Sequence, residues 1–242
     1  MDEMTLWQAI LLGLTQGLAE FLPVSSSGHL VLMREIFGIK GEYLMFDVML
    51  HVGTLFAVFI TFFKDLIALF KPPFKTIGLI IVATVPAVVV GLLAGDYIEN
   101  LFSSGKYLCF FFLFTALLMF LTEIIAKRTR ETKPLGLKAA IAMGLMQGVG
   151  VFPGISRSGS TIFGGVVAKA EREEAAKFSF FMSIPVILGS AVLELFKADF
   201  AAVNWLNVCV GMAVSFVSGL FAIRLMMRVI AKANYKWFGI YL

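Results

Sequence analysis

The chain has 242 residues, 60% of them hydrophobic and 15% charged, with a formal net charge of +4. A soluble domain carries about 25% charged residues, and no soluble core of this length could hide so much apolar surface; lipid is the solvent, which excludes a cytosolic enzyme or a nucleic-acid binder. Cys109 and Cys209, both in apolar runs, are too few for a disulfide framework or a metal site, and the opening Met1-Asp2-Glu3 lacks the basic n-region of a cleavable signal.

The first apolar stretch, Met4–Val24, runs into Ser25-Ser26-Ser27-Gly28-His29 and then a short second stretch, Leu30–Ile39. Pro, Gly and hydroxyl residues break it, and irregular backbone at membrane depth survives only where protein or a wet cavity covers it. A re-entrant helical hairpin is therefore expected, not a crossing. Gln16 and Glu20 are four apart and share one helix face. A carboxylate in an apolar stretch either serves function or hydrogen-bonds a neighbouring helix. The hydroxyls of Ser25, Ser26 and Ser27 can bind phosphate oxygens, cap a helix, or supply a nucleophile if a base is near. His29 can act as general acid or base.

Crossings of about 20 residues are expected near Leu44–Phe63, Ile77–Ala94 and Tyr107–Ala126. Asp47 and His51, four apart in the first of them, either line a cavity or make helix-end hydrogen bonds. A second broken stretch follows. Leu135–Phe152 runs into Pro153-Gly154-Ile155-Ser156-Arg157-Ser158-Gly159-Ser160-Thr161 and then Ile162–Ala168. The planar fork of Arg157 matches phosphate, Gly154 and Gly159 let backbone N–H groups turn toward an anion, and a helix from about Ser160 would present its positive end there. The partner of an Arg at that depth is an anionic ligand or a carboxylate such as Glu20. Glu171-Arg172-Glu173-Glu174 reads as a solvated helix start. Crossings near Phe178–Phe196 and Trp205–Ile223 complete the pattern, and a further helix beginning near Trp237 is cut short by Leu242. Glu123 and Glu194 sit near crossing ends, where an interfacial position is expected. Gly211, Ser215 and Gly219 form a small-residue stripe that can pack a helix closely, within one chain or between the copies of a homodimer.

The two hairpins resemble each other. Gly13-Leu14-Thr15-Gln16-Gly17 aligns with Gly144-Leu145-Met146-Gln147-Gly148, and at the same offset Ser25, Ser27 and Gly28 align with Ser156, Ser158 and Gly159. The chain is therefore expected to be one all-α, polytopic membrane domain built from two repeats, about 4–126 and 135–242. Each holds one re-entrant hairpin and about three crossings, the last helix short. Lys64, Lys71 and Lys75 follow the first crossing, Lys127, Arg128, Arg130, Lys133 and Lys138 the third, and Arg224, Arg228, Lys232 and Lys236 the fifth. The excess of Lys and Arg marks these as cytoplasmic. The loop with Asp96, Glu99 and Lys106 faces outward. An odd number of crossings inverts the second repeat, so the two Ser-rich tips can meet near the bilayer midplane, where inverted-repeat proteins place their sites. The same architecture describes secondary transporters and lipid flippases, but a carrier needs no nucleophile or acid–base pair beside its anion clamp.

The segments G-L-T-Q-G-L-A-E-F-L-P-V-S-S-S-G-H and P-G-I-S-R-S-G-S-T resemble the undecaprenyl-diphosphate phosphatase family of the bacitracin-resistance type. The stretches F-D-V-M-L-H-V-G-T-L, V-P-A-V-V-V-G-L and A-A-K-F-S-F-F-M-S-I-P extend the likeness over nearly the whole chain. The resemblance implies hydrolysis of a C55 isoprenyl diphosphate to the monophosphate and phosphate. It also implies a bacterial inner-membrane location and recycling of the cell-wall carrier lipid. By motif, Glu20, Ser26, His29 and Arg157 match the family's catalytic positions, and Gln16, Ser25, Ser27, Gly154, Ser156, Ser158 and Thr161 fall among the substrate-binding ones. Many members carry a carboxylate where this chain has Gln16. A divalent cation, Mg or Ca, gathered by a carboxylate pair in those members would meet a single acid here. Two routes stay open: Ser26 attacks the terminal phosphorus with His29 or Glu20 as base, or Glu20 and His29 activate a water.

Overall fold

The computed structural model describes residues 4–39, 43–129, 131–197, 203–232 and 234–242; Met1-Asp2-Glu3 and Arg130 lie outside these. The described chain is nearly all helix. Five helices are long and apolar enough to cross a membrane: α3 (Leu44–Thr61), α5 (Lys75–Ser104), α6 (Leu108–Arg128), α9 (Arg172–Lys197) and α10 (Trp205–Lys232). Each contains or nearly coincides with an expected crossing. The chain is a multi-pass membrane protein, and α5 shows why lipid must be its solvent. Its apolar window has a mean hydropathy of 2.7 and is only 17% buried, so Ile81, Val85, Val88 and Val89 are exposed where water would make a large apolar patch untenable.

The two broken stretches form paired short helices. These are α1 (Leu6–Ala19) with α2 (Ser26–Phe37), and α7 (Leu137–Val149) with α8 (Arg157–Val167). At 14, 12, 13 and 11 residues, none reaches the roughly 20 residues that a crossing takes. Thr5 starts α1 through a capping box with Gln8. Helix α8 begins three residues earlier than the sequence suggests. Ser156 is its N-cap, its Oγ accepting from the Gly159 N–H, which makes Arg157 the first helical residue. Two shorter helices, α4 (Phe63–Leu69) and α11 (Lys236–Tyr241), complete the chain; α11 lies against α6.

Small residues set how the helices meet. Between apolar helices in lipid there is no hydrophobic drive, and close backbone approach supplies the packing instead. The α1–α2 hairpin lies on α10, and the α7–α8 hairpin lies on α5. A Cβ on Gly13 would sit 2.5 Å from the Gly211 carbonyl oxygen, and one on Gly17 would overlap Ser218 Oγ and the Ser215 carbonyl. On the other hairpin a Cβ on Gly144 would stand 2.8 Å from Ala83 Cα. The aligned glycines of the two segments thus do the same job on two different helices. The Gly211–Ser215–Gly219 stripe is used within the chain, by α1 and by α3, where Ser215 Oγ donates to the Leu50 carbonyl at 2.8 Å. Toward the basic end, Phe21, Phe62, Phe180 and Phe181 form an aromatic core with Phe21 and Phe180 edge-to-face at 5.3 Å.

Gly17→Val should force α1 off α10 and cost on the order of 1–3 kcal/mol, read as earlier thermal unfolding in detergent. Gly78→Ala, where an added Cβ meets nothing within 4 Å, should not lower the transition.

Candidate functional site

The first tip is built by how α1 ends and α2 begins. Glu20 caps the C-terminus of α1, and the chain turns through Pro23 to Ser25, which takes φ 65° and caps α2, its Oγ accepting from the Gly28 N–H. A serine in the left-handed region is uncommon and costs about 1–3 kcal/mol, which the surroundings must hold in place. The turn brings Ser26, the first residue of α2, back over Glu20. Ser26 Oγ donates to Glu20 Oε2 at 2.6 Å, and Gln16 Nε2 donates to the same oxygen at 2.9 Å.

The second tip meets the first head-on. Arg157 Nη2 forms an ion pair with Glu20 Oε1, so the carboxylate that α1 carries is the partner of the guanidinium that α8 carries. Ser158 Oγ donates to the Leu22 carbonyl at 3.0 Å. A Cβ on Gly28 would stand 2.8 Å from Gly154 Cα, so the tips touch backbone to backbone where both sequences place glycine. Gly154 itself sits at φ 91°, a conformation open to glycine and strained for other residues. Behind Arg157, Thr161 Oγ1 lies 2.6 Å from Ser179 Oγ on α9, and the Ser179 carbonyl is 3.5 Å from Arg157 Nη1.

These groups line a cavity of about 730 Å³, within the range of small-ligand sites. Glu20, Ser25, Ser26, Ser27, Ser156, Arg157 and Ser158 face it. Its apolar wall is made by Leu30, Leu44, Val48, Leu92, Leu93 and Val186. Four residues singled out by sequence lie elsewhere. Gln16 is fully buried behind Glu20. Thr161 is buried against α9, Gly154 forms the contact between tips, and His29 does not line the cavity. Its Nδ1 meets the Ser25 carbonyl at 2.8 Å and its Nε2 meets Tyr241 Oη on α11 at 2.9 Å, with the two rings stacked at 5.7 Å. The histidine that does line the cavity is His51, whose Nε2 is 3.5 Å from Glu20 Oε2.

Several contributors escape sequence reasoning. Thr115 of α6 clasps the second tip, donating to the Gly154 carbonyl at 3.2 Å and accepting from the Ser156 N–H at 3.1 Å; nothing in its run of Phe and Leu marks it. Gln147 lines the cavity and donates to the Ala83 carbonyl at 3.1 Å; its alignment with Gln16 is the signal that points to it. Glu194 lines the cavity as well, and Glu123 is buried, accepting from the Tyr235 N–H at 2.9 Å. Asp47 pairs with Arg34. Among the described residues no three His, Cys, Asp or Glu side chains converge, and Gln16 presents an amide nitrogen to Glu20. That donor set does not fit a divalent cation held by the protein.

Chemically, the arrangement can hold and cleave a phosphate ester or anhydride. A planar guanidinium, five serines and the N-termini of α2 and α8 converge on one apolar-walled cavity, the setting in which helix ends and Arg bind phosphate.

The model of the family described as bacitracin resistance protein BacA matches residues 9–242. Curated relatives named undecaprenyl-diphosphatase align along nearly the full chain. The one from Carboxydothermus hydrogenoformans is 42% identical, over 98% of this chain and 94% of its own. That from Treponema denticola is 40% identical, over 99% and 94%. That from Halothermothrix orenii is 38% identical, over 98% and 94%. The fold, the paired tips and these matches together place the chain in the bacitracin resistance protein BacA family.

Proposed function

We propose that this chain is a membrane phosphatase that hydrolyses undecaprenyl diphosphate to undecaprenyl phosphate and inorganic phosphate. The observation that carries the reading is the convergence of Glu20, Ser26 and Arg157 from two hairpins on one cavity. The names of the relatives supply the substrate. A polyprenyl diphosphate has an anionic head and a lipid tail, and the cavity is lined by Arg157 and serine hydroxyls together with Leu and Val side chains.

Phosphoryl transfer needs positioning and charge neutralisation more than covalent chemistry from the protein. Arg157 takes the diphosphate oxygens, with Ser25, Ser27, Ser156 and Ser158 donating around it. Glu20, held on both oxygens by Arg157, Ser26 and Gln16, fixes the direction of the Ser26 hydroxyl. Ser26 is then either the nucleophile or the group that seats the attacking water. The two hairpins are read as copies in inverted orientation, a relation supported by their matching glycine contacts with α10 and α5.

The orientation follows from charge. Lys64, Lys71, Lys75, Lys127 and Lys133 gather at one end of the bundle by sequence. The cavity is lined from the other ends of α5 and α9, by Asp96 and Lys197. The family resemblance implies a bacterial inner membrane, and by the positive-inside rule the cavity opens to the outer face, where phosphate leaves.

Purified protein in detergent should release phosphate from undecaprenyl diphosphate; a protein that releases none is not this phosphatase. Arg157→Lys keeps a charge but loses the planar fork, and kcat/KM should fall by about 10²–10³-fold with the protein still folded. A phosphoserine trapped at Ser26 would establish covalent catalysis, and near-normal turnover by Ser26→Ala would eliminate it. In cells, a cysteine placed at Lys106 should react with a membrane-impermeant maleimide, and one at Lys133 should react only after permeabilisation.

A further inference from the structure

Two long helices, α5 and α9, change partners halfway along. In their first halves they share one buried core, with Leu79 and Ala83 from α5 and Phe178 and Met182 from α9. Each then carries a proline inside the helix, Pro86 and Pro185. Proline removes one rung of the hydrogen-bond ladder and is where helices turn. Pro86 is level with the end of α7, since a Cβ on Gly148 would stand 3.3 Å from its carbonyl oxygen. Beyond the prolines both helices line the cavity. Residues 91–98 do so on α5, and Val186, Ile187, Ser190, Leu193, Glu194 and Lys197 do so on α9. The α9 residues recur at the spacing of a single helix face.

The α5 wall is open where a wall is normally filled. Gly91, Ala94 and Gly95 share one face of the helix. A Cβ on Gly91 or on Gly95 would meet nothing within 4 Å. The glycines of α1 and α7 differ, because a neighbour's backbone occupies the space beside them. Glycine weakens a helix relative to alanine, and at positions 91 and 95 no close helix contact is gained in return. What these two positions provide is the space itself.

The cavity also reaches the lipid-facing surface here. Leu92 and Leu93 of α5 and Leu193 of α9 line it, yet they are 73%, 83% and 57% exposed. In a bilayer such leucines meet hydrocarbon, so the apolar wall runs from the cavity into lipid between these two helices. Other seams of the rim are tied. The end of α5 meets α2, where a Cβ on Gly105 would stand 3.3 Å from Val31 Cγ1. Helix α2 is joined to α3 by the Arg34–Asp47 ion pair.

Resting on the phosphatase reading above, we propose that the gap between the C-terminal halves of α5 and α9 is a lateral portal for the prenyl chain of the substrate, and that Gly91 and Gly95 determine which chains it admits. The diphosphate stays with Arg157 and the serines, and the chain leaves the cavity past Leu92, Leu93 and Leu193 without crossing water. An isoprenoid chain carries a methyl branch on every unit and is bulkier than a straight acyl chain. A wall without side chains at two successive turns gives those branches room.

The test uses the full chain in detergent with undecaprenyl diphosphate, following phosphate release. Gly91→Leu and Gly95→Leu are compared with Gly78→Leu, a position in the same helix before the proline that is equally open and does not line the cavity. All three should elute like the parent and unfold no earlier. Gly91→Leu and Gly95→Leu should lower kcat/KM about tenfold or more, whereas Gly78→Leu should stay within about threefold of the parent. Both portal variants within about threefold of the parent would overturn the proposal. A second measurement needs neither variant nor turnover. A prenyl diphosphate with a diazirine near the head end of its chain is photolysed on the parent protein, and the labelled peptides should contain residues 91–98 or 186–193. Label confined to other surfaces, such as the crevice of Leu14, Val217 and Phe221 between α1 and α10, would overturn it. The phosphatase reading fails separately, if the parent protein releases no phosphate, and the photolabel still reports where the chain lies.

Discussion

A carboxylate and a guanidinium face each other at the depth where two hairpins meet. Taking both charges out of water costs several kcal/mol per ion, which the ion pair alone seldom repays. Glu20 and Arg157 are supported further, by Ser26 and Gln16 on one side and by the α9 backbone at Ser179 on the other. Removing one partner of such a buried pair commonly costs about 3–5 kcal/mol, whereas replacing both by apolar residues is often neutral. Stability by itself therefore does not account for a pair placed here, whereas the proposed anionic substrate, competing for Arg157, would. Glu20 holds the guanidinium in place; on the proposed reading, a phosphate oxygen takes part of that role when substrate binds.

The rest of the molecule exists to bring those two side chains together. No helix of either hairpin is long enough to span a bilayer, and each hairpin packs on a partner helix. The glycines of α1 and α7 let α10 and α5 approach to backbone distance. Gly28 and Gly154 do the same between the tips. Thr115 fixes the second tip from α6 with two hydrogen bonds. Small side chains matter so much because packing in lipid rests on close van der Waals contact and interhelical hydrogen bonds, with little hydrophobic drive between helices.

Much of this was legible in the sequence. Helix lengths, the two interrupted stretches and their glycine spacing follow from local composition, and the structure places the five long helices where the apolar runs lie. The charges at the tips were legible because charge at membrane depth is rare and demands a reason. Rotational phase was not. The cavity meets the first turn of α2, so Ser26 reaches it, while His29 in the next turn faces α6 and Tyr241 of α11. His51 reaches the cavity from α3 because of how α3 packs against α1, α9 and α10. Glu123 looks interfacial from its place near a helix end, yet caps the backbone at Tyr235, a contact 112 residues away that no local pattern encodes.

An experimental structure with a methylene-bridged, non-hydrolysable prenyl diphosphate would test most directly that one site is drawn from both hairpins. The account predicts the two phosphorus atoms in the cavity, with the terminal phosphate touching Arg157 from one hairpin and Ser26 from the other, and the tail running along Leu44, Val48 and Leu92. A diphosphate bound by one hairpin alone, with the Glu20–Arg157 pair undisturbed and remote from it, would contradict it.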